Sequence, residues 1–175
     1  CSYFRLMKIT ILNGNIDENN QAFNAYLSEL IARLKEVHTV DIFHLTHMNL
    51  RYCTGCWTCW WKTPGICRIK DDAPLIYKSV INADFMIFAS PLIAGFTSAV
   101  LKKITDRLIV LLHPYITLKN GECHHIKRYE KYPDFGVVLQ KEDDTDEEDL
   151  AIVKDIYSRF AINFYNQMRF MKLFE

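Results

Sequence analysis

The sequence lacks a net charge of either sign and any long hydrophobic run. Lys and Arg total 21 among its 175 residues and Asp and Glu also total 21, so the formal net charge is zero. A nucleic-acid-binding protein, which needs a basic face, is therefore not expected. No apolar run reaches the roughly 18 residues that a membrane span needs, so no membrane contact is expected either. The chain also has no repeats, low-complexity tracts or linkers, and we predict one domain over residues 1–175.

The amino terminus lacks the apolar core of a signal peptide. Met7 and Lys8 resemble a native start, and we interpret residues 1–6 as a cloning remnant or a short extension. Six cysteines occur, but the chain is larger than the small secreted domains that depend on disulfides. We therefore expect a cytoplasmic protein whose cysteines serve metal or redox chemistry.

Apolar, β-branched runs alternate with helical patterns along the chain. Strands are predicted at residues 8–12, 39–43, 85–89, 135–140 and 170–174. Helices are predicted at residues 20–35, 71–82 and 98–112, with a fourth that begins at a capping box of Thr145 and Glu148. This alternation predicts a parallel sheet with right-handed crossovers. We expect an α/β, flavodoxin-like three-layer sandwich whose five strands have the order 2-1-3-4-5, with a ligand crevice between strands 1 and 3.

Two loops flank this crevice. Residues 13–20 lead into the amino end of a helix, where free backbone N–H groups attract phosphate. This loop carries Asp17 and Glu18 and lacks Ser, Thr and Arg, so a simple capped turn is the alternative. Residues 90–97 form the second predicted loop, in which Gly95 lets a flat ligand approach the backbone. Its alternative is an ordinary connection into a helix that Thr97 or Ser98 caps.

Four of the cysteines are close together and have the spacing C-x2-C-x2-C-x7-C; they are Cys53, Cys56, Cys59 and Cys67. Two-residue gaps let one short loop turn several thiolates toward a common centre, as iron–sulfur clusters require. Zinc usually takes two separated pairs of ligands. Free thiols packed among the tryptophans of this segment are the third possibility. Trp60 and Trp61 would give an apolar wall or a dimer surface.

For the polar side chains of residues 113–134 and of the third helix, we favour structural roles. Residues 113–134 are predicted to be a long aromatic and basic connection without regular structure. His124 and His125 could assist proton transfer there, and Arg128 could hold a phosphate, but surface or interface packing is the favoured interpretation. For Asp106 and Arg107 in the third helix we favour a structural salt bridge to another element over catalysis.

Several of these stretches match a known family. Ile11-Leu12-Asn13-Gly14 resembles the start of the NAD(P)H-dependent FMN reductases, although the Ser-Pro-Arg that follows there is Asn15-Ile16-Asp17 here. Residues 55–72 are similar to the cysteine segment of the family's iron–sulfur flavoprotein-like branch. Ser90-Pro91, Ser98 and Asp106-Arg107 match its third strand and helix, so the resemblance covers residues 7–140.

The resemblance implies an FMN-dependent oxidoreductase that takes hydride from NAD(P)H. Electrons would pass to a small-molecule or protein acceptor, and the protein would be a homodimer or homotetramer. No catalytic side chain is assigned. The implied cofactor-binding residues are Asn13, Gly14, Asn15 and Asn20 for the phosphate, and Ser90, Pro91, Leu92, Ile93, Ala94, Gly95, Phe96 and Thr97 for the flavin ring.

Two alternatives stay open. One is an iron–sulfur flavoprotein that carries electrons through a cluster on the four clustered cysteines. The other is a flavodoxin-fold binding module that has lost FMN. If the phosphate lies against the first loop, we expect Gly14→Val to abolish flavin retention.

Overall fold

The structure, a computed structural model, describes residues 6–119 and 121–175, so the interpretation of residues 1–5 falls outside it. Its strands are β1 Lys8–Asn13, β2 Thr39–His44, β3 Phe85–Ile93, β4 Phe96–Thr97, β5 Leu112–Lys119, β6 Glu122–Lys127, β7 Asp134–Gln140 and β8 Met168–Phe174. Its α-helices are α1 Gln21–Lys35, α2 Thr58–Trp61, α3 Ala73–Ile81, α4 Ala99–Arg107 and α5 Glu147–Asn163. Short 3-10 turns occur at Leu45–His47 and Leu108–Leu111.

Five parallel strands form the main sheet in the order β2-β1-β3-β7-β8. Counted along the sheet's own strands, this is the predicted flavodoxin-like order 2-1-3-4-5, which is confirmed. The short strand β4 adds to β3 in the antiparallel direction. Because all five parallel strands end at the same edge, the segments that follow β1 and β3 are neighbours there. The Gly14 N–H donates to the Ala89 carbonyl across 2.8 Å.

Helices cover both faces of the sheet. On one face, α1 buries Phe23 and Leu27 against Ile9, Ile11 and Ile87. On the other face, α3, α4 and α5 bury their apolar stripes in a larger core. The sheet and the helices on its two faces form the three layers that the sequence predicts. Within the described part of the chain, no helix combines the length and apolarity that a membrane crossing would need.

The prediction of an irregular connection at residues 113–134 was wrong. Strands β5 and β6 form an antiparallel hairpin, and Gly121 in the turn between them has a φ of +82°. The end of the connection is also fixed, because the Tyr132 hydroxyl donates to the Leu111 carbonyl across 2.6 Å. Its exposed strand faces carry Tyr115 and Leu118. Aromatic and charged residues on both faces of a two-stranded hairpin hide the polar–apolar alternation that predicts a strand.

The fourth predicted helix begins one residue later than expected. The capping box is formed by Asp146 and Asp149 rather than by Thr145 and Glu148. The Asp149 N–H donates to Asp146 Oδ1 across 2.9 Å. The Thr145 hydroxyl is already used, since it accepts the Glu142 N–H across 2.9 Å. The same turn thus offers two residues that can cap a helix, and the local hydrogen bond between Thr145 and Glu142 leaves the cap to Asp146.

Candidate functional site

The predicted flavin-ring stretch, residues 90–97, is a hairpin rather than a loop. Strand β3 continues to Ile93, and Leu92 and Ile93 pair with Thr97 and Phe96. Between them, Ala94 and Gly95 have φ values of +51° and +72°. Positive φ at both central residues is typical of a type I′ hairpin turn. The prediction of a loop over residues 90–97 is therefore corrected, and the chain instead presents a short ledge at the carboxyl end of β3.

The tip of this ledge is apolar and accessible. Ile93 is 37% exposed, and Ala94 beside it is exposed. Acidic side chains from the segment after β7 support the other side, where the Gly95 N–H is 3.5 Å from Glu142 Oε2. A Cβ on Gly95 would collide with the Asp149 carboxylate. The ledge thus combines an exposed apolar tip with a turn backbone that lies against acidic side chains.

Ser98 connects the two predicted cofactor loops. Its side chain caps α4 by accepting the Leu101 N–H, as the sequence predicted. The Ser98 hydroxyl also donates to the Gly14 carbonyl across 2.5 Å. Its N–H donates to the Ser90 hydroxyl across 2.9 Å. One fully buried serine therefore fixes the segment after β1 relative to the end of β3.

Gly14 has a packing role that is independent of any ligand. A Cβ at this position would lie 2.8 Å from both Leu101 Cβ and Ser98 Oγ. Such contacts are closer than real Cβ atoms tolerate, so Gly14→Val would force the first loop away from α4. The variant would lose flavin for that reason alone, and its phenotype cannot report on the phosphate contact. The predicted contact of Gly14 with phosphate stays a prediction.

The first loop, residues 13–20, satisfies its own hydrogen bonds. The Asn15 N–H donates to Asn13 Oδ1 across 2.9 Å, and Asn15 Nδ2 donates to the Asp17 carbonyl across 2.8 Å. The Asn19 N–H donates to the Asp17 carboxylate across 2.9 Å, and the Asn20 N–H donates to the Asp17 carbonyl across 3.1 Å. Asp17 is thus the central acceptor of the loop.

Asn20 closes the first loop and starts α1. Its Oδ1 accepts the Phe23 N–H as an N-cap. Its Nδ2 donates to Gln140 Oε1 across 2.6 Å. Gln140 ends β7, two strands away from β1, so this bond crosses above the carboxyl end of β3. Three of the predicted site residues, Asn13, Asn15 and Asn20, are therefore gathered at one edge of the sheet.

Two histidines at the end of β2 lie beside the first loop and were not predicted. His44 Nδ1 is 3.0 Å from Asn13 Nδ2. His47 Nε2 is 2.8 Å from Glu18 Oε1, and the two imidazole rings are 5.7 Å apart. The available signal was the predicted order of the sheet, which puts the end of strand 2 next to the end of strand 1.

A buried ion pair of Arg107 and Asp71 fixes the two ends of the cysteine segment, residues 52–70. Arg107 from α4 makes two hydrogen bonds to the Asp71 carboxylate, and the two side chains are 1% and 0% exposed. The Arg51 N–H donates to Asp71 Oδ2 across 2.9 Å, and the Ala73 N–H donates to Oδ1 across 3.2 Å. The expected salt bridge to another element is therefore made by Arg107, whereas Asp106 pairs on the surface with Lys102.

The thiols of this segment differ in their hydrogen bonds and in their pKa values. Arg107 Nη2 donates to Cys67 Sγ across 3.5 Å. Hydrogen bonds from Thr58 lower the pKa of Cys56 to about 7. Burial, together with the neighbouring Cys67, Cys53 and Cys56, raises the pKa of Cys59. The neighbouring thiols therefore affect Cys59, but in residues 6–119 and 121–175 no three His, Cys, Asp or Glu side chains are arranged to hold a metal ion.

Trp60 anchors the cysteine segment to the 3-10 turn that precedes β5 and to β6. Its Nε1 donates to the Ile109 carbonyl across 3.2 Å, and its ring centre is 4.6 Å from that of His125. A hollow of about 230 Å³ is lined by Trp60 together with Cys53 and Cys59. The walls of this hollow are apolar.

The polar residues of the hairpin are used in packing. His124 is buried between Asn163 Oδ1 and Glu122 Oε2, each 3.1 Å away. Arg128 Nη2 donates to the Leu112 carbonyl across 3.0 Å, and burial lowers the pKa of His125. These contacts attach the hairpin to α5 and to its own base, as the packing interpretation predicts.

Comparison with known proteins identifies the family. The NADPH-dependent FMN reductase family matches residues 7–123. The chain belongs to this family. Iron–sulfur flavoproteins are among its relatives, which supports the branch inferred from the cysteine segment. One from Archaeoglobus fulgidus is 30% identical over 103 residues, covering 58% of this chain and 48% of that protein. One from Clostridioides difficile is 29% identical over 126 residues, covering 71% of this chain and 55% of that protein.

This FMN reductase family member therefore spans about half the length of the curated relatives it matches. Solved structures show the same fold. The NAD(P)H:quinone oxidoreductase of Methanothermobacter marburgensis has a TM-score of 0.66 at 17% identity, over 97% of this chain and 83% of that one. An FMN-dependent NADH-azoreductase of Bacillus anthracis in complex with FMN has a TM-score of 0.64 at 11% identity, over 94% and 84%.

Proposed function

We propose that this chain is an FMN-dependent oxidoreductase that takes hydride from NAD(P)H and passes electrons to a small-molecule or protein acceptor. The observation that carries the proposal is the joining of the two predicted cofactor segments by Ser98, at the carboxyl end of β1 and β3. In open α/β sheets with this strand order, that edge is the ligand crevice. Family membership supports the choice of flavin.

The residues present suit a flat, largely apolar ligand at the ledge. Exposed Ile93 and Ala94 give an apolar surface, and the I′ turn at Ala94 and Gly95 brings the backbone close without a large side chain at its tip. Bound FMN would supply a ring that accepts hydride and releases one or two electrons. The chain would hold that ring in place and exclude water from one of its faces.

FMN content tests this proposal. Protein reconstituted with excess FMN and then gel-filtered should retain about one flavin per chain, because one crevice of this kind is present per sheet. A folded protein that retains no flavin would instead favour the alternative of a binding module that has lost FMN.

A second candidate function is an electron carrier with an iron–sulfur cluster on Cys53, Cys56, Cys59 and Cys67. The observation that favours it is the hydrogen bond from buried Arg107 to Cys67, the last of the four closely spaced cysteines. Hydrogen bonds to the sulfurs are among the features that set a cluster's potential. The described cysteines are free, and a cytoplasmic location, which we also propose, would keep them reduced.

The double variant Cys56→Ser, Cys59→Ser separates the two candidates. We expect it to lose any iron and sulfide that the anaerobically prepared protein contains, since two of four ligands are gone. We also expect NAD(P)H to reduce its bound FMN at the wild-type rate, because the ledge and the first loop are untouched. Iron, sulfide and the rate of flavin bleaching are the measurements. If the flavin content is normal but its reduction is lost, the cysteines belong to the hydride-transfer machinery and the simple reductase fails.

We also propose that the protein self-associates, as a homodimer or homotetramer. Large apolar side chains of the cysteine segment and the hairpin are exposed, among them Trp57, Trp61, Tyr115 and Leu118. A small monomer rarely exposes so much apolar surface. Sedimentation at micromolar concentration with FMN present should show a dimer or a larger species, and a monomer alone would refute this.

A further inference from the structure

We propose that the flavin site does not select for a phosphate group, so that it takes riboflavin-class flavins as readily as FMN. This rests on the proposed flavin site between the first loop and the ledge, and it concerns which flavins that site accepts. The argument depends on how the first loop uses its hydrogen-bond donors and on the charge it carries.

The donors that a phosphate would need are mostly committed within the loop. The N–H groups of Asn15, Asp17 and Asn19 donate to side-chain oxygens of the same loop. The Asn15 amide nitrogen donates to the Asp17 carbonyl and to Asn24 Oδ1. A phosphate would have to displace these acceptors, and each displaced acceptor would lose its partner.

The charge of the loop also opposes a phosphate. The Asp17 carboxylate already accepts the Asn19 N–H, so the loop places a negative charge against one of its own donors. Glu18 adds a second carboxylate, and no Lys or Arg occurs in residues 13–20, whereas phosphate recognition ordinarily relies on such cations. Beside the loop, His47 pairs with Glu18 and His44 pairs with Asn13.

The amino end of α1 is the remaining attraction for an anion. In the part of the chain that the structure describes, the N–H groups of Gln21 and Ala22 have no hydrogen-bond partner. A helix dipole favours a negative group there. Asp17, within the preceding turn, offsets that preference because it presents its own negative charge. The flavin would then be recognised by its ring, which riboflavin and FMN share and which would contact the apolar ledge of Ile93 and Ala94.

The test is the dissociation constant of riboflavin and of FMN for the full chain, measured by quenching of flavin fluorescence. The variant is Asp17→Asn, which keeps an oxygen for the Asn19 N–H, with Asp17→Ser as a second variant in case the first fails to fold. The control is Asp155→Asn, which removes an exposed carboxylate on α5. We expect the two wild-type constants to agree within about tenfold. Asp17→Asn should tighten FMN by at least about threefold and leave riboflavin unchanged, because only FMN carries the repelled charge.

Three results would overturn the inference. Wild-type protein that binds FMN more than about tenfold tighter than riboflavin does select for phosphate. An Asp17→Asn variant that changes both flavins equally, or neither, shows that Asp17 does not act on the phosphate. Protein that binds neither flavin removes the proposed function itself, and this inference with it; the first two results leave that function intact.

Discussion

Replacing Arg107 by Met is expected to lower the free energy of unfolding by about 3–5 kcal/mol. The reason is that Asp71, with a fully buried side chain, would keep its charge and lose the guanidinium that makes two hydrogen bonds to it. Domains of this kind are stable by only about 5–15 kcal/mol, so the variant should be marginally folded. Urea unfolding followed by circular dichroism measures the difference.

The matched control is Lys102→Met on the same helix. Lys102 pairs with Asp106, but both side chains are about half exposed, and a surface pair of this kind contributes roughly 0–1 kcal/mol. If Arg107→Met lowers the free energy of unfolding by less than about 1 kcal/mol, the buried ion pair of Arg107 and Asp71 does not stabilise the cysteine segment as described.

Lowering the pH should reduce the difference in the free energy of unfolding between wild type and Arg107→Met. Burial by itself would raise the pKa of Asp71, but hydrogen bonds from Arg107 and from the N–H groups of Arg51 and Ala73 lower it overall. A carboxyl whose pKa is lowered by folding contributes stability above its unfolded pKa of about 3.9 and loses that contribution as the pH falls through the folded pKa. In the variant the carboxyl can instead be protonated and lose its buried charge. The two unfolding free energies should therefore converge below about pH 4.

Replacing Ile93 by Glu is expected to weaken FMN binding about 30-fold. The side chain is 37% exposed at the ledge, where the ring is proposed to lie. A flavin there would cover the new carboxylate without offering it a partner, at a cost of about 2 kcal/mol, and 1.4 kcal/mol corresponds to a factor of ten. Titration of FMN into the variant gives the dissociation constant.

Leu75→Glu is the control for this experiment. Leu75 is 60% exposed on α3, and it lines a groove with β2 rather than the ledge. Both variants add one negative charge to an exposed apolar position, so equal weakening of FMN by both would point to general charge repulsion. Unchanged binding in Ile93→Glu would place the ring elsewhere on the protein.

The sheet was predictable because its strands are long apolar runs. Residues 85–89, for example, are apolar throughout and lie in the centre of the sheet, covered on both faces. The same run did not show that β3 continues to Ile93, because that extension depends on a turn in which Ala94 adopts a positive φ. Alanine is rarely chosen for that conformation, so residue type gave no signal.

The other features that the sequence did not predict are contacts between segments that lie far apart in the chain. His44 touches Asn13 from 31 positions along the chain, and Arg107 reaches Cys67 from 40 positions. The sequence predicted which segments end at the same edge of the sheet, and it predicted a salt bridge for the third helix. It did not predict the partner Asp71, because side-chain orientation depends on packing that no local pattern records.

The absorption spectrum of anaerobically purified, FMN-loaded protein, recorded before and after addition of NADPH or NADH, tests the central claim most directly. The account predicts a flavin spectrum that bleaches on addition of the nicotinamide and returns when an electron acceptor is admitted. A protein that holds its flavin in a folded state but shows no bleaching with either nicotinamide would contradict it.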